Sequence, residues 1–304
     1  MAQAILHHGS FLGKRDGLRV MACRDCGFAH LEMLPDAAAL ADYYAKDFWR
    51  EKPGALERIE EQREWWAAIH GDWLELVEQC APGRMLLDVG CGYGHFMRAA
   101  DARAWNIEGI EPNLDAAKYA QTLTGHAPWR GTWDNEAPEY ESHPYPFAGK
   151  SFDCVSALWL IEHLTDPLRF LRWCHARLVN SGVLLVVTPN DFNRNQEQAN
   201  KMVARPTWWI DKTHISYFTS VTLANLLGRA GFRVVDHLTM FPMELFLMRG
   251  HDYTTDDEIG RRCHKRVERF DLRMKREERI ALYRRWARAG TGREIVFVAA
   301  KDDD

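Results

Sequence analysis

The chain has no run approaching the ~18 consecutive apolar residues that a membrane span needs. Its start, MAQAILHHGSFLGKRD, lacks the apolar centre of a secretory signal. A cytoplasmic protein with no membrane partner is the expectation. A disulfide framework is missing too: the seven cysteines, at 23, 26, 80, 91, 154, 174 and 263, form an odd set with a single CxxC, so reduced thiols are expected. Nor does one sign of charge dominate, the formal net value being -4. The asymmetry is local, because residues 260–293 hold thirteen Arg or Lys against four Asp or Glu. That segment reads either as a solvated helix face or as a surface for something anionic, such as a phosphorylated substrate or an acidic partner. Nucleic acid is disfavoured, since the rest of the chain is acidic and would repel a phosphate backbone.

What is present is enough chain for a real core. The 304 residues are 46% hydrophobic and 27% charged, with a mean hydropathy of -0.39, which excludes disorder as the main state. From about residue 84 to 240, short β-branched runs alternate with amphipathic stretches, the pattern of βαβ units on a parallel sheet. Strands are expected at 84–89, 106–111, 152–158, 183–188 and 232–238, with a last one, EIVFVAAK, at 294–301. Asp166-Pro167 marks one helix start, and Thr219 or Ser220 another, whose Leu223, Leu226, Leu227 and Ala230 fall on one face before Gly231 stops it. A long helix is expected over 54–80 and a helical region over 256–289, inserted between two strands. The terminal DDD reads as frayed.

The string LLDVGCGYGHF, Leu86 to Phe96, carries the chemistry. A strand leads into Gly90, Gly92 and Gly94, then a helix opens at His95. Glycines are needed where the backbone turns sharply and approaches a nucleotide more closely than a Cβ allows. The dinucleotide fingerprint GxGxxG would require a third glycine at position 95, where His95 stands. Instead the strand ends with acidic Asp88, and the next strand ends with Glu111, placed to hold a ribose diol through charge-assisted hydrogen bonds worth roughly 1.5 to 3 kcal/mol.

With these residues the sequence resembles the class I S-adenosylmethionine-dependent methyltransferases over roughly 84–240 plus the last strand. SFDCVSALWLIEHL, LVNSGVLLVVTPN and HISYFTSVTLANLLGRAGF agree with that family in order. The resemblance implies an α/β fold: a doubly wound, mostly parallel, Rossmann-like seven-stranded sheet with an antiparallel last strand, plus an N-terminal arm and a helical insert. It divides the chain into a CxxC-containing arm (1–35), a helical lid (36–82), an S-adenosylmethionine-binding core (83–240 and 291–301) and the insert (241–290). Gly90, Cys91 and Gly92 would line the methionine part of the cofactor, Asp88 would fix the loop or the amino group, Glu111 the ribose, and Pro112 would lie beside the adenine. In GTWDNE (131–136), Trp133 is a stacking candidate and Asp134 an acceptor for the adenine amine; Leu158 and Trp159 would pass beneath the sulfonium.

Methyl transfer from a sulfonium requires mainly alignment and exclusion of water. A hydroxyl acceptor also needs a base, and histidine, with an unperturbed pKa of ~6.5, suits that task. His214 in DKTHISYF and His163 in IEHL are the catalytic candidates, whereas Glu162 reads as solvated or helix-capping. Residues 189–219 are too long for a simple crossover and read as an acceptor lid. There Asn190, Arg194, Trp208, Trp209 and Tyr217 would bind a small-molecule acceptor, carbohydrate or phosphorylated. The expected reaction is O-methylation of a sugar or sugar-bearing metabolite. N-methylation of a small molecule and a non-catalytic cofactor-binding homologue are the alternatives, and a homodimer is open.

CRDCG (23–27) has the form of a zinc-ribbon knuckle, which normally needs a second ligand pair roughly fifteen residues away. Only His7 and His8 stand at that distance, and His8-Gly9 mirrors Cys26-Gly27. Metal binding by Cys23 and Cys26 with His7 or His8 stays open at this point.

Overall fold

Every second residue of the central strands faces the opposite layer, and both layers are filled. In a computed structural model, which describes residues 7–134, 146–147 and 149–302, Leu86, Cys154, Val183, Leu185, Val187, Val296 and Val298 enter one core. Their neighbours Leu87, Val155, Leu184, Val186, Ile295 and Phe297 enter the other. Strands buried on both faces require helices on both faces, which is the doubly wound arrangement. Asn135 and Glu136 of the GTWDNE stretch, and the last two aspartates, lie outside the described residues.

The chain begins with three antiparallel strands, β1 (Gly9–Arg15), β2 (Leu18–Cys23) and β3 (Ala29–Leu31), followed by α1 (Ala37–Lys46), α2 (Ala55–Glu61) and α3 (Arg63–Glu78). The expected 54–80 helix is therefore broken at Gln62. The core follows as β4 (Met85–Val89), α4 (His95–Asp101), β5 (Asn106–Ile110), α5 (Leu114–Thr124) and β6 (Phe152–Leu158). A 3-10 turn (Ile161–His163), α6 (Pro167–Arg177), β7 (Leu178–Pro189), α7 (Arg194–Asn200) and β8 (Ser216–Tyr217) come next. The chain continues through α8 (Ser220–Arg229), β9 (Phe232–Leu238), α9 (Glu244–Leu247), α10 (Asp257–Arg273) and α11 (Arg276–Arg288) to β10 (Glu294–Lys301). The caps read from the sequence are in place: Asp166 accepts from the Arg169 N–H with Pro167 at the first turn, and Thr219 and Thr222 form a reciprocal capping box.

The main sheet runs β5-β4-β6-β7-β10-β9. Neighbours among β5, β4, β6 and β7 are parallel, and β10 is antiparallel to both β7 and β9. Among the described residues it has six strands rather than seven. At the expected seventh position is a single parallel bridge, Ile110 to Trp129. Pro128, lacking an N–H, stands immediately before the bridge, and the Trp129 ring folds over Gly131, so the edge stops after one pair. The chain order reverses beside β4, which puts the ligand crevice at the carboxyl ends of β4 and β6.

Two further contacts position that crevice. β3 pairs with β8, setting His30 opposite Ser216, so the N-terminal strands and the 189–219 segment share one four-stranded sheet. On the other face α3 is locked to the insert: Arg279 of α11 donates to both oxygens of Asp72 at 2.7 and 2.8 Å, and the Trp65 indole donates to Asp271 of α10 at 2.7 Å. Four cations of the basic segment, Arg279 among them, are engaged in this way. Arg276 also reaches Asp72, Arg284 pairs with Asp236, and Arg293 with Asp191.

Candidate active site

At the carboxyl end of β4 the backbone turns through Gly90, Gly92 and Gly94 with φ of +72, +53 and +81°, values that L side chains rarely adopt. The third glycine is also a packing requirement, since a Cβ at Gly94 would stand 2.8 Å from the Ala120 methyl of α5. Across the loop, Glu111 at the tip of β5 accepts from the Gly92 N–H at 2.8 Å and the Asn113 N–H at 2.9 Å. Burial nevertheless raises its carboxyl to about 7, the backbone donors only moderating the shift. Asp88 is likewise buried and raised to about 7, with Ser156 donating to it at 2.7 Å.

A cavity of about 580 Å³ opens over this loop. Asp88, Gly90, Cys91, Gly92, Glu111 and Pro112 line it on one side, and Trp133, Asp134, Leu158 and Trp159 complete that half. Trp133 stands edge-on to Phe170 at 5.4 Å with the Arg169 guanidinium over its ring, and Asp134 accepts from Thr132. Trp159 holds a φ of +50°, which a bulky residue rarely tolerates. Such strain persists only where the surroundings impose it; here the Trp66 and Trp73 rings stand 5.5 and 5.7 Å away.

The other half of the wall brings Glu162, His163 and His214 together, with a ligand-capable atom of each within 4.8 Å of the others. The 3-10 turn after β6 supplies the first two, and the Ile215 N–H donates to the Glu162 carbonyl, fastening His214 beside them. His163 Nδ1 lies 2.7 Å from the Thr213 carbonyl, an acceptor, so Nδ1 carries the proton and Nε2 faces Glu162 at 4.0 Å. Burial lowers His163 to about 3 and His214 to about 4, leaving both rings neutral near pH 7. Glu162 is not solvated as its sequence context suggests; it is 1% exposed, and burial raises it to about 8. Thr188 donates to one of its oxygens at 2.9 Å, while the other oxygen, like His214 Nδ1, has no hydrogen-bond partner among the described residues.

The roof of the cavity comes from the segment read as a helical lid (36–82), whose individual side chains the sequence reading left without roles. Tyr44, Phe48, Trp49 and Lys52, from α1 and the turn after it, line it together with Trp66 of α3. Trp49 covers the glycine loop, 3.3 Å from where a Gly92 Cβ would sit and 4.4 Å from the Tyr93 ring. Tyr44 lies against the His163 ring and donates to the Thr213 carbonyl. The sequence signal was the aromatic density of DYYAKDFW.

Asn190, Arg194, Trp208, Trp209 and Tyr217 are not brought to this cavity. Asn190 is buried and donates to the carbonyls of Gly290 and Gly292, tying the end of β7 to the turn before β10. Arg194 is exposed at the start of α7. Trp209 and Tyr217 form a small core with Val20, Leu31 and Ile210, against which Trp208 packs, and Arg15 holds the Trp208 and Ile210 carbonyls. The physical reason is that a thin β-sheet has no apolar layer of its own, so the N-terminal strands recruit these aromatic side chains as their core.

The family described as Methyltransferase domain matches residues 60–237. The ubiquinone biosynthesis O-methyltransferase of Cereibacter sphaeroides strain KD131 is 29% identical over 168 residues, covering 52% of this chain and 64% of that protein. The protein of the same name from Histophilus somni is 26% identical over 155 residues, covering 45% and 64%. The chain thus spans less than two thirds of these curated relatives. Among solved structures, a SAM-dependent methyltransferase from Archaeoglobus fulgidus superposes with a TM-score of 0.51 at 19% identity, covering 84% of this chain and all of that one. With more than half of its length matched, the chain belongs to the methyltransferase-domain family, and its six-stranded doubly wound core shares the fold of the solved structure.

Proposed function

We propose that this chain methylates a phenolic hydroxyl of a small molecule, S-adenosylmethionine lying against the glycine loop and the acceptor ring beneath the aromatic roof. The chemistry of the wall supports that cofactor: Asp88, Glu111, Asp134, Glu162 and Asp166 line the cavity against the cations Lys52 and Arg169, and the carboxyls that burial keeps part-protonated ionise more readily beside a sulfonium than beside a pyrophosphate. Gly90, Cys91 and Gly92 would bear the methionine portion. Glu111 would take the ribose hydroxyls on the lone pairs that its two backbone donors and the Trp49 indole leave open, and Pro112, Trp133 and Asp134 would bound the adenine. When bound, S-adenosylmethionine supplies an electrophilic methyl group. The protein's own part is to orient the acceptor, exclude water and hold the departing proton.

The observation that carries the reading is the buried cluster of Glu162, His163 and His214. His214 accepts the hydroxyl proton, and Glu162, once ionised, stabilises the imidazolium within 4.8 Å of it. The strength of these bases selects the acceptor. Whichever of these groups receives the proton, a phenol with a pKa of ~10 is about 8 kcal/mol easier to deprotonate than an aliphatic alcohol near water's ~16. The expected sugar acceptor is therefore less well served than a phenol, and the half-apolar roof of Tyr44, Phe48, Trp49 and Trp66 suits a flat ring. The relatives named for O-methylation in ubiquinone biosynthesis are consistent with a hydroxyl acceptor. The helices α1–α3 serve in this reading as the lid.

The test is incubation of the protein with methyl-labelled S-adenosylmethionine and parallel sets of phenols, glycosides and amines. Label is expected on phenolic oxygen and lost in Glu162→Gln and His214→Asn. Labelling of amines or glycosides without phenols, or an unchanged rate in both variants, would overturn the reading.

A further inference from the structure

Outside the methyl-transfer site, the N-terminal strands bring together a second cluster. His7, from the segment before β1, Cys23 at the end of β2, Cys26 in the following turn and His30 in β3 place one ligand atom each within 4.8 Å of one another. We propose that these four residues form a structural zinc site of the Cys2His2 type. Zinc bonds of ~2.3 Å to sulfur and ~2.0 to 2.1 Å to nitrogen at tetrahedral angles give ligand separations of about 3.6 Å between thiolate and imidazole. His7 Nδ1 lies 3.5 Å from Cys23 Sγ and 3.4 Å from Cys26 Sγ. The two imidazole nitrogens, His7 Nδ1 and His30 Nε2, are 2.9 Å apart and would part by about 0.4 Å on a tetrahedral ion.

The surrounding hydrogen bonds orient the ligands as a metal site requires. His30 Nδ1 sits 2.6 Å from the Leu31 carbonyl and must donate to it, which leaves the Nε2 lone pair aimed at the cluster. The Cys26 N–H points at Cys23 Sγ at 3.3 Å, a donor suited to a thiolate. Gly27, at φ +83°, closes the turn, and its N–H donates to the Cys23 carbonyl. Without an ion the arrangement is frustrated. His7 Nδ1 must be the proton donor to His30 Nε2, yet two sulfurs crowd the same nitrogen, and one N–H cannot serve three acceptors. An ion replaces that competition with four bonds, the two thiol protons leaving to solvent and the His7 proton passing from Nδ1 to Nε2.

The structure also separates the two histidines that sequence reasoning left open. His8 is exposed and its ring pairs with Asp25 instead. His30, which sequence reasoning did not consider, takes the fourth place because β3 lies antiparallel to β2. Its register partner across the sheet is Ser216, two residues from His214, so the ion would pin a small β unit directly onto the segment bearing the candidate base. Small units with little core are those that need such a staple.

The experiment uses the full chain, purified under reducing conditions without chelator. Elemental analysis is expected to find one zinc per chain. Chelator-stripped protein titrated with cobalt(II) chloride is expected to develop thiolate charge-transfer and tetrahedral d–d bands that saturate at one equivalent and are displaced by zinc chloride. Cys26→Ser and His30→Asn should lose the zinc, whereas His8→Ala keeps it. The proposal is overturned if the wild-type chain develops no cobalt bands, if Cys26→Ser retains a full equivalent of zinc, or if thiol titration finds Cys23 and Cys26 joined as a disulfide.

Discussion

The Gly92 N–H and the Glu111 carboxylate are hydrogen-bonded at 2.8 Å, so the glycine loop and the tip of the neighbouring strand form one unit. Glu111 fixes the loop's shape as well as offering its remaining lone pairs to a ligand. Glu111→Ala should therefore weaken S-adenosylmethionine binding by about ten- to a hundredfold, from the loss of ~1.5 to 3 kcal/mol. Calorimetric titration measures it, and unchanged affinity would mean that the ribose is held elsewhere.

Gly94→Ala should cost stability. The new methyl would need a φ of +81° and would meet the Ala120 methyl at 2.8 Å. The backbone penalty alone is roughly 1 to 2 kcal/mol, and α5 must shift besides. Denaturant unfolding should give a lower midpoint, and a variant as stable as the parent would show that the loop relaxes freely.

The ion pair of Arg279 with Asp72 is buried on both sides, at 5 and 4% side-chain exposure. Burial still pushes Asp72 upward despite the guanidinium, so desolvation outweighs the attraction there. Removing Arg279 leaves Asp72 only the part-exposed Arg276 as a partner, and Arg279→Ala should destabilise the fold by about 3 kcal/mol, the low end for a broken buried pair. Arg279→Met with Asp72→Leu should recover most of that loss. A double variant no better than the single one would contradict this reading.

The parts of this molecule that were legible in its sequence are those specified by local pattern. Leu86 to Phe96, the Asp166-Pro167 start and the Thr219 cap each fall within one turn or one strand, where periodicity and capping chemistry operate. What was not legible depends on distant partners. Trp209 and Tyr217 look like ligand-binding aromatics until Val20 and Leu31, nearly two hundred residues earlier, are seen to pack on them. Glu162 follows a strand as a solvated residue would; it is buried against Thr188 on β7 and the Ile215 segment bonded to its own backbone. Trp49 carries no motif, and it reaches the glycine loop because the Asn113 side chain ties the end of α1 to the start of α5 through the Ala45 carbonyl.

The raised Glu162 carboxyl gives the reaction a pH signature. Glu162 ionises at about 8 in the folded chain, so below that pH it is protonated and offers no charge to stabilise an imidazolium at His214. Methyl transfer at saturating substrate should therefore rise with pH, tenfold per unit well below 8, and level off above it. In Glu162→Gln that limb should vanish, leaving a low and flatter profile. Stability should run the opposite way. A carboxyl whose folded pKa exceeds its unfolded value near 4.5 holds a proton longer when folded, so Glu162, like Asp88 and Glu111 at about 7, makes the cofactor-free fold less stable as pH climbs from about 5 to 8. Thermal melts of the cofactor-free protein across that range should fall with pH, and less steeply in Glu162→Gln. A rate limb that survives the substitution would assign the titration to another group.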